Sequence, residues 1–478
     1  MATTGRTHAP WRQHSFVIAH APANPRVRLM LALRQVVSAT SSPVRLVPLA
    51  FLAVIAIGTL LLMLPIATTE AARAPFITAL FTATSAVCVT GLIVVDTPTY
   101  WSGFGQVVIL ALFQIGGFGI MAAATLLGLT LGRGFRLSDR LRTQVERSYF
   151  SVSDARSVLR LILIVTVVVE SALAVALTLR FHLFHDQPLH TAAWHGVFHA
   201  VSAFNNAGFS TFSDSLVSFA TDWLVLGPIM IAIVLSSLGF PVLHELRGRR
   251  AANVPWTLHT KITVIGTLVL LLLGFLAVAF AEWRNDATLG PLSVGDKILN
   301  SLFQSVTTRT TGFNTIDIGA MREETLAVTY ILMFIGGGSA GTAGGIKITT
   351  FVLLGVVVWS EARGERDAAL FGRRVNPAIE RQALAVALLS FTLVWLGTLA
   401  ILAMTDHPLS AVLFETISAF ATVGLSTGIT NQLPPSAELV LIALMFIGRV
   451  GTITVVAALA SHRGKATFRY PEERPIVG

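Results

Sequence analysis

Four times along the chain an apolar, helix-like stretch runs straight into a glycine flanked by Thr, Val, Asn or Ala. The four segments are CVTGL at 88–92, NNAGF at 205–209, RTTGF at 309–313 and ATVGL at 421–425. They recur about every 110 residues, each roughly ten positions after an aromatic residue: Phe81, Phe198, Phe303 and Phe414. A lone glycine of this kind marks close helix packing. Four in the same context, each bracketed by two long apolar stretches, predict a repeated architecture in which four loops of backbone carbonyls surround one pore.

Composition supports a membrane setting. The chain is 54% hydrophobic and 12% charged, about half the charged fraction of an ordinary soluble domain, with a mean hydropathy of +0.73. Long apolar windows occur near 44–66, 104–132, 158–180, 223–246, 261–281, 325–359, 383–404 and 437–460, which predicts about eight spans, two per repeat. Between the two spans of each repeat lies a short amphipathic helix, at 75–87, 191–204, 293–306 and 408–420, three of them with Pro75, Ser293 or Pro408 near the start. These are too short to cross a hydrocarbon layer of about 30 Å, so they are expected to re-enter, directing the negative end of the helix dipole inward. Extended backbone at that depth is tolerated only where it lines water or is buried in protein.

The net charge of +9 would suit nucleic acid only if a soluble surface presented it. Instead it sorts by loop. Basic residues crowd before the first window (Arg6, Arg12, Arg26, Arg28, Arg34, Arg45), between the second and third (Arg133, Arg136, Arg140, Arg142, Arg147, Arg156, Arg160), and in every second loop thereafter. The opposite loops carry only Arg73, Arg180, Arg284, Lys297 and Arg322. The positive-inside rule then predicts a multi-pass protein of the cytoplasmic membrane, with both termini cytoplasmic, the glycine loops outside, lipid as its surroundings and no nucleic-acid partner. The Arg- and Pro-containing first 42 residues lack a cleavage site after a short apolar core and read as a cytoplasmic tail, with an interfacial helix near 26–38, not as a signal peptide. Cys88 is the sole cysteine, which excludes an intramolecular disulfide and a cysteine metal centre.

The combination of VTGL, NNAGF, TTGF and TVGL with this order of helices resembles the Trk/Ktr/HKT superfamily of potassium transporters, most nearly the Ktr-type membrane subunit. The resemblance covers the chain after residue 42. It implies an all-α integral membrane fold of four tandem helix, pore-helix, filter and helix repeats, forming a pseudo-tetrameric pore like that of a potassium channel. The expected division is a tail at 1–42, repeats at 43–135, 136–250, 251–375 and 376–463, and a tail at 464–478. The implied filter is Val89, Thr90 and Gly91; Asn206, Ala207 and Gly208; Thr310, Thr311 and Gly312; and Thr422, Val423 and Gly424. Its backbone would coordinate K+, with no organic cofactor; Gly91, in place of the serine of sodium-preferring members, favours potassium, and sodium dependence stays open. A homodimer on a cytoplasmic ring of nucleotide-binding regulatory subunits, responsive to ATP or ADP, is implied as the assembly, with the tail at 469–478 a candidate dimer contact.

One window breaks the repeat. GGGSAGTAGGIK at 336–347 places Gly336, Gly337, Gly338, Gly341, Gly344 and Gly345 among Ser339, Ala340, Thr342 and Ala343 within an apolar stretch. Each glycine costs a helix about 1 kcal/mol relative to alanine, so the span should break. The run contains G-x-G-x-x-G without a preceding strand, and Lys347 lacks the Ser or Thr of a phosphate-binding loop; a nucleotide site is excluded. The resemblance implies an intramembrane gate beneath the filter, with Arg449 of FIGRVGT as its electrostatic partner. Arg449 is an expensive intramembrane charge in any case. Lys347 belongs to the gate or extends to the cytoplasmic face. Arg309 is expected to brace the pore helices. His199, Gln304 and Glu415 each follow the repeat's Phe and are expected to hydrogen-bond nearby helices, Glu415 pairing with Arg309. Glu170 is either paired or part of a proton or sodium path. His182, His185 and His190 lack accompanying carboxylates and do not suggest a metal site.

Potassium uptake is thus the expected function. A sodium- or proton-coupled secondary transporter of another mechanism would carry inverted repeats around a mid-membrane site. A membrane enzyme would need clustered acidic residues or histidines, and neither H-E-x-x-H nor a paired acidic motif is present.

Overall fold

The computed structural model describes residues 43–131, 152–248, 255–365 and 367–451. The expected helix near 26–38, most of the second basic cluster and the tail at 469–478 lie outside these residues. Among the described residues the only sheet is a hairpin of two-residue strands, Ala369–Leu370 with Arg373–Arg374; the other regular elements are helices.

In chain order the principal helices begin with α1 (Pro43–Leu62), α2 (Phe76–Val87), α3 (Gly103–Leu131), α4 (Val152–Phe184), α5 (Leu189–Asn205), α6 (Trp223–Leu238) and α7 (Phe240–Gly248). They continue with α8 (Leu258–Glu282), α9 (Val294–Thr307), α10 (Glu323–Phe334), α11 (Ile348–Ala362), α12 (Pro377–Leu402), α13 (Leu409–Ala421) and α14 (Pro435–Phe446). The four short helices α2, α5, α9 and α13 lie within two residues of the expected spans. Proline precedes three of them, at Pro75, Pro188 and Pro408, where a missing amide costs nothing. Ser293 starts the other, its hydroxyl accepting from the Asp296 amide.

Packing relates these helices cyclically. Each short helix packs on the long helix before it: α2 on α1, α5 on α4, α9 on α8 and α13 on α12. Its other flank meets the helix that follows the previous glycine segment: α3 touches α5, α6 touches α9, α10 touches α13, and α14 returns to α2. The circuit closes on itself. Phe81, Phe198, Phe303 and Phe414 are all fully buried in it. Two of its seams are aromatic: Phe113 of α3 meets Phe198 edge-on at 5.5 Å, and Tyr330 of α10 meets Phe414 at 5.9 Å. The outer face is apolar and open, as at Phe280, Ile231 and Leu268, where acyl chains rather than water would be the solvent. The single cysteine, Cys88, is buried with a free thiol.

Among the described residues, four helices are long and apolar enough to cross a membrane: Gly103–Ala122, Leu159–Phe184, Leu258–Glu282 and Pro377–Leu402. Of the eight expected windows two are interrupted, and the one at 437–460 runs past the described residues. The window at 325–359 is divided into α10 and α11 by the glycine run. The window at 223–246 is broken between α6 and α7, which meet at 98°. Gly239 makes that second corner with φ +87°, a conformation that side chains disfavour.

Outside the spanning segments, Asp222 ties two elements together. It caps α6, accepting from the Leu224 and Val225 amides at 2.9 and 3.3 Å, and it holds Arg180 Nε and His185 Nε2 at 2.9 Å each. Burial works against its charge, but the hydrogen bonds from Arg180, His185 and Leu224, with the Arg180 charge, prevail and hold its carboxyl below the usual range. Its contribution to stability is therefore complete above the carboxyl pKa of the unfolded chain and is lost as pH falls through the lower folded value. Asp222→Ala should cost about 0.5–2 kcal/mol near neutrality, the range for losing a helix cap. Thermal unfolding in detergent across acidic pH should show the wild type, but not the variant, losing this increment; parallel curves would contradict the assignment.

Candidate functional site

Each short helix ends by leaving the helical region abruptly. Val89, Asn206 and Thr422, two residues before their glycines, take left-handed dihedrals with φ of +56°, +59° and +50°. Thr310 reaches the corresponding bend by a different route, at φ +151°. The glycines themselves, Gly91, Gly208, Gly312 and Gly424, all have positive φ, at 92°, 69°, 89° and 92°. Glycine is the residue that adopts these values without a steric cost.

Space also demands glycine there. A β-carbon on Gly91 would lie 2.5 Å from the carbonyl oxygen of Ala207; on Gly208, 2.1 Å from that of Thr311; on Gly312, 2.5 Å from that of Val423; and on Gly424, 2.0 Å from that of Thr90. The segments therefore touch in the order 91, 208, 312, 424 and back to 91. On one side they open to a cavity of about 540 Å³ lined by all four glycines and by Asp96, Asp214 and Asp317.

Hydroxyl groups on the helix ends hold these turns. The Gly91 and Gly424 amides donate to Ser85 Oγ and Ser418 Oγ, at 3.1 and 3.0 Å. In the other two segments the hydroxyl acts as donor: Ser202 to the Phe209 carbonyl at 2.8 Å and Thr307 to that of Phe313 at 2.7 Å. Sequence reasoning passed over these four residues, although a Ser six positions before the glycine recurs in three segments and Thr307 stands five before Gly312 in the other.

In two of the segments the residue after the buried Phe, His199 or Glu415, reaches the chain beyond the glycine rather than a neighbouring helix. His199 Nε2 meets Ser210 Oγ at 2.9 Å. Glu415, fully buried, accepts from Ser426 Oγ at 2.6 Å, the Thr427 amide at 3.0 Å and Thr430 Oγ1 at 2.7 Å. Gln304 is also fully buried, and its amide has no hydrogen-bond partner. The expected Glu415–Arg309 pair does not form: local hydroxyls and an amide satisfy the carboxylate, and the guanidinium is directed elsewhere. Arg309 Nη2 donates to the Gly336 carbonyl at 3.1 Å and Nη1 to that of Thr267 at 3.5 Å, so it braces the start of the glycine run against α8. Glu170 accepts from Gln114 Nε2 at 3.2 Å and Asn205 Nδ2 at 3.1 Å; carboxamides, not a cation, are its partners.

The run 336–347 lies as a non-helical loop against the ring. Gly336 N donates to Ile346 O at 2.9 Å and Ile346 N to Phe334 O at 3.0 Å, closing its base. Its far side docks on the end of α6, Gly338 N donating to Ser237 O at 2.7 Å and Thr342 N to Ser236 O at 3.3 Å. A β-carbon on Gly344 would come within 2.0 Å of Thr422 Oγ1, so the loop passes directly beneath the fourth segment. Arg449 sits in a π-helical turn, Ile447–Gly451, a distortion often found at functional sites. It is 3% exposed and its Nη1 donates to the Thr342 carbonyl at 2.6 Å. Lys347 does not extend to a membrane face; its Nζ turns back onto the Ala343 carbonyl at 2.5 Å. Three cations thus hold three carbonyls of one loop.

Among the described residues no group of three or more His, Cys, Asp or Glu is arranged to bind a metal. Replacing Glu415 with alanine would leave buried hydroxyls and one amide without an acceptor, at about 1–3 kcal/mol for each unsatisfied group. Glu415→Ala should lower the unfolding temperature in detergent by several degrees, with Glu415→Gln losing less; equal stability of all three chains would contradict the bracing role.

Comparison with known proteins finds cation transporters. The sequence profile of the family described as "TrkH: Cation transport protein" matches residues 30–469. The chain is 39% identical over 437 residues to Ktr system potassium uptake protein B of Bacillus subtilis, covering 91% of this chain and 97% of that one. It is 35% identical over 456 residues to the potassium/sodium uptake protein NtpJ of Enterococcus hirae, covering 94% and 100%. The crystal structure of the potassium transporter TrkH from Vibrio parahaemolyticus superposes with a TM-score of 0.66 at 18% identity, over 85% of this chain and 83% of that one, a likeness of fold.

Proposed function

This chain belongs to the TrkH cation-transport family, and on that premise we propose that it takes up potassium across the cytoplasmic membrane. The ion would enter through a ring formed by residues 89–91, 206–208, 310–312 and 422–424. The observation that carries this reading is the closed contact order of the four glycines, each against a carbonyl of the next segment. Carbonyl oxygens held in such a ring replace the hydration shell of an entering cation, and the Asp-lined cavity before it concentrates cations. The four segments then act as the filters of four tandem repeats with the boundaries given above, a pseudo-tetrameric pore within one chain. Carbonyls of Phe209 and Phe313 already accept from Ser202 and Thr307; this supports fewer equivalent sites than four identical strands would offer.

The loop 336–347 is the gate in this reading, kept beneath the ring by Arg449, Arg309 and Lys347. A guanidinium there opposes a dehydrated cation electrostatically until the loop moves. The cytoplasmic placement of both termini, a homodimer and a ring of nucleotide-binding regulatory subunits form the rest of the proposal, resting on the charge distribution and on kinship with Ktr systems. A second reading, in which sodium accompanies potassium, is favoured by the resemblance to the potassium/sodium protein NtpJ.

Two measurements test this. Any side chain at the four glycines adds roughly 1–2 kcal/mol of backbone strain besides the carbonyl clash. Gly91→Ser should therefore fail to rescue a potassium-uptake-deficient bacterium at limiting potassium, and in proteoliposomes should lose rubidium-over-sodium preference, whereas Thr90→Ser should be mild. Unchanged selectivity in Gly91→Ser would overturn the filter. For the gate, Arg449→Ala should raise rubidium flux in the absence of any regulatory subunit by about an order of magnitude, equivalent to some 1.4 kcal/mol; flux at or below that of the wild type would sink the gating role.

A further inference from the structure

Asn206 differs from its counterparts in the other three segments. Val89 has no polar side-chain atom, and the hydroxyls of Thr310 and Thr422 are buried without partners. Asn206, 1% exposed, uses its whole carboxamide. Nδ2 donates to Ser237 Oγ and Thr342 Oγ1, each at 2.9 Å. Oδ1 accepts from Thr311 Oγ1 at 3.2 Å and Ser236 Oγ at 3.4 Å. Two donor hydrogens and two acceptor positions are what a carboxamide possesses, and here all are engaged. The four partners belong to three bodies: the third glycine segment, the broken end of α6, and the loop 336–347. Thr342 is in turn the residue whose carbonyl receives Arg449 and whose amide donates to Ser236.

We propose that Asn206 couples the carbonyl ring to the glycine loop, so that the ring's ion preference depends on where the loop lies. This deepens, and rests on, the reading of the ring as filter and the loop as gate. When the loop leaves its seat, Thr342 Oγ1 leaves with it and one Asn206 hydrogen is stranded. The carboxamide must then rotate, and rotation withdraws Oδ1 from Thr311, whose carbonyl packs against Gly208. A displacement below the ring thereby reaches two of its four strands. Asn206 acts as a positioning residue; it need not touch the ion with its side chain. Its left-handed φ of +59° is one that Asn tolerates and Gly adopts freely, so Asn206→Gly removes the carboxamide and leaves the backbone at ease.

The test is a double-mutant cycle on the full-length chain in proteoliposomes, normalised to the amount of chain incorporated. Rubidium uptake is measured against concentration and in competition with sodium for wild type, Asn206→Gly, Thr342→Val, the double variant and Thr342→Ser. Thr342→Val should raise the half-saturating rubidium concentration and weaken discrimination against sodium by at least about five-fold, the lower end for coupling between sites, although Thr342 lies outside the ring. Asn206→Gly should do the same, the double variant should be no worse than the more affected single, and Thr342→Ser should restore wild-type values. Should Asn206→Gly fail to incorporate, Asn206→Asp takes its place, since it keeps the shape and lacks both donated hydrogens. Effects that multiply in the double variant would overturn the coupling. So would a Thr342→Val that changes the maximal rate alone, or a Thr342→Ser that behaves like valine. Gly208→Ala with unaltered sodium discrimination would instead remove the filter reading beneath it.

Discussion

Backbone that leaves a helix inside a membrane must satisfy its amides and carbonyls on other protein, because hydrocarbon offers nothing in exchange. Most of this architecture answers that constraint. The short helices stop, and the extended backbone beyond each stop has an amide or a carbonyl engaged by a hydroxyl near the helix end: Ser85, Ser202, Thr307 and Ser418. The glycine run abandons helix altogether, and its amides find the Ser236 and Ser237 carbonyls only because α6 ends at Gly239 and leaves those carbonyls free. The two interruptions complement each other: the break in one helix supplies the acceptors that the break in another requires.

Charge follows the same logic. Arg309, Arg449 and Lys347 are buried or half-buried with carbonyls, not carboxylates, as partners, while Glu415 and Glu170 are held by hydroxyls, an amide and carboxamides. Basic and acidic groups are therefore kept apart instead of meeting in ion pairs. For a protein that moves cations this separation matters: positive charge collects around the loop, and negative carboxylates lie around the ring and its mouth.

Much of this was legible in the sequence, for physical reasons. A ring needs glycine at each strand, and a helix too short to span must re-enter, so 91, 208, 312 and 424 and the four short helices could be read from spacing alone. The run at 336–347 announced its break through glycine content. Less visible was the corner at Gly239, since one glycine in an apolar stretch is ordinary in membranes and the 98° turn depends on the loop that docks there. Charge alone suggests a Glu415–Arg309 pair; local hydroxyls and an amide, which periodicity does not reveal, take its place. Asn206 was read for its backbone, and its side chain joins residues 105 and 136 positions away, a tertiary fact with no local signal. The packing circuit from α14 back to α2 is similarly beyond any window of sequence.

One chain supplies all four glycine segments, and their supports fall into two kinds: hydroxyls that accept from the glycine amide in the first and fourth, and hydroxyls that donate to a carbonyl in the second and third. In an assembly of four identical subunits a single codon change strikes every quadrant at once, and the outcome is intact or ruined. Here a change strikes one quadrant. If the ring is the filter proposed above, a substitution alters one quarter of it, and meets a different kind of support on the two kinds of strand.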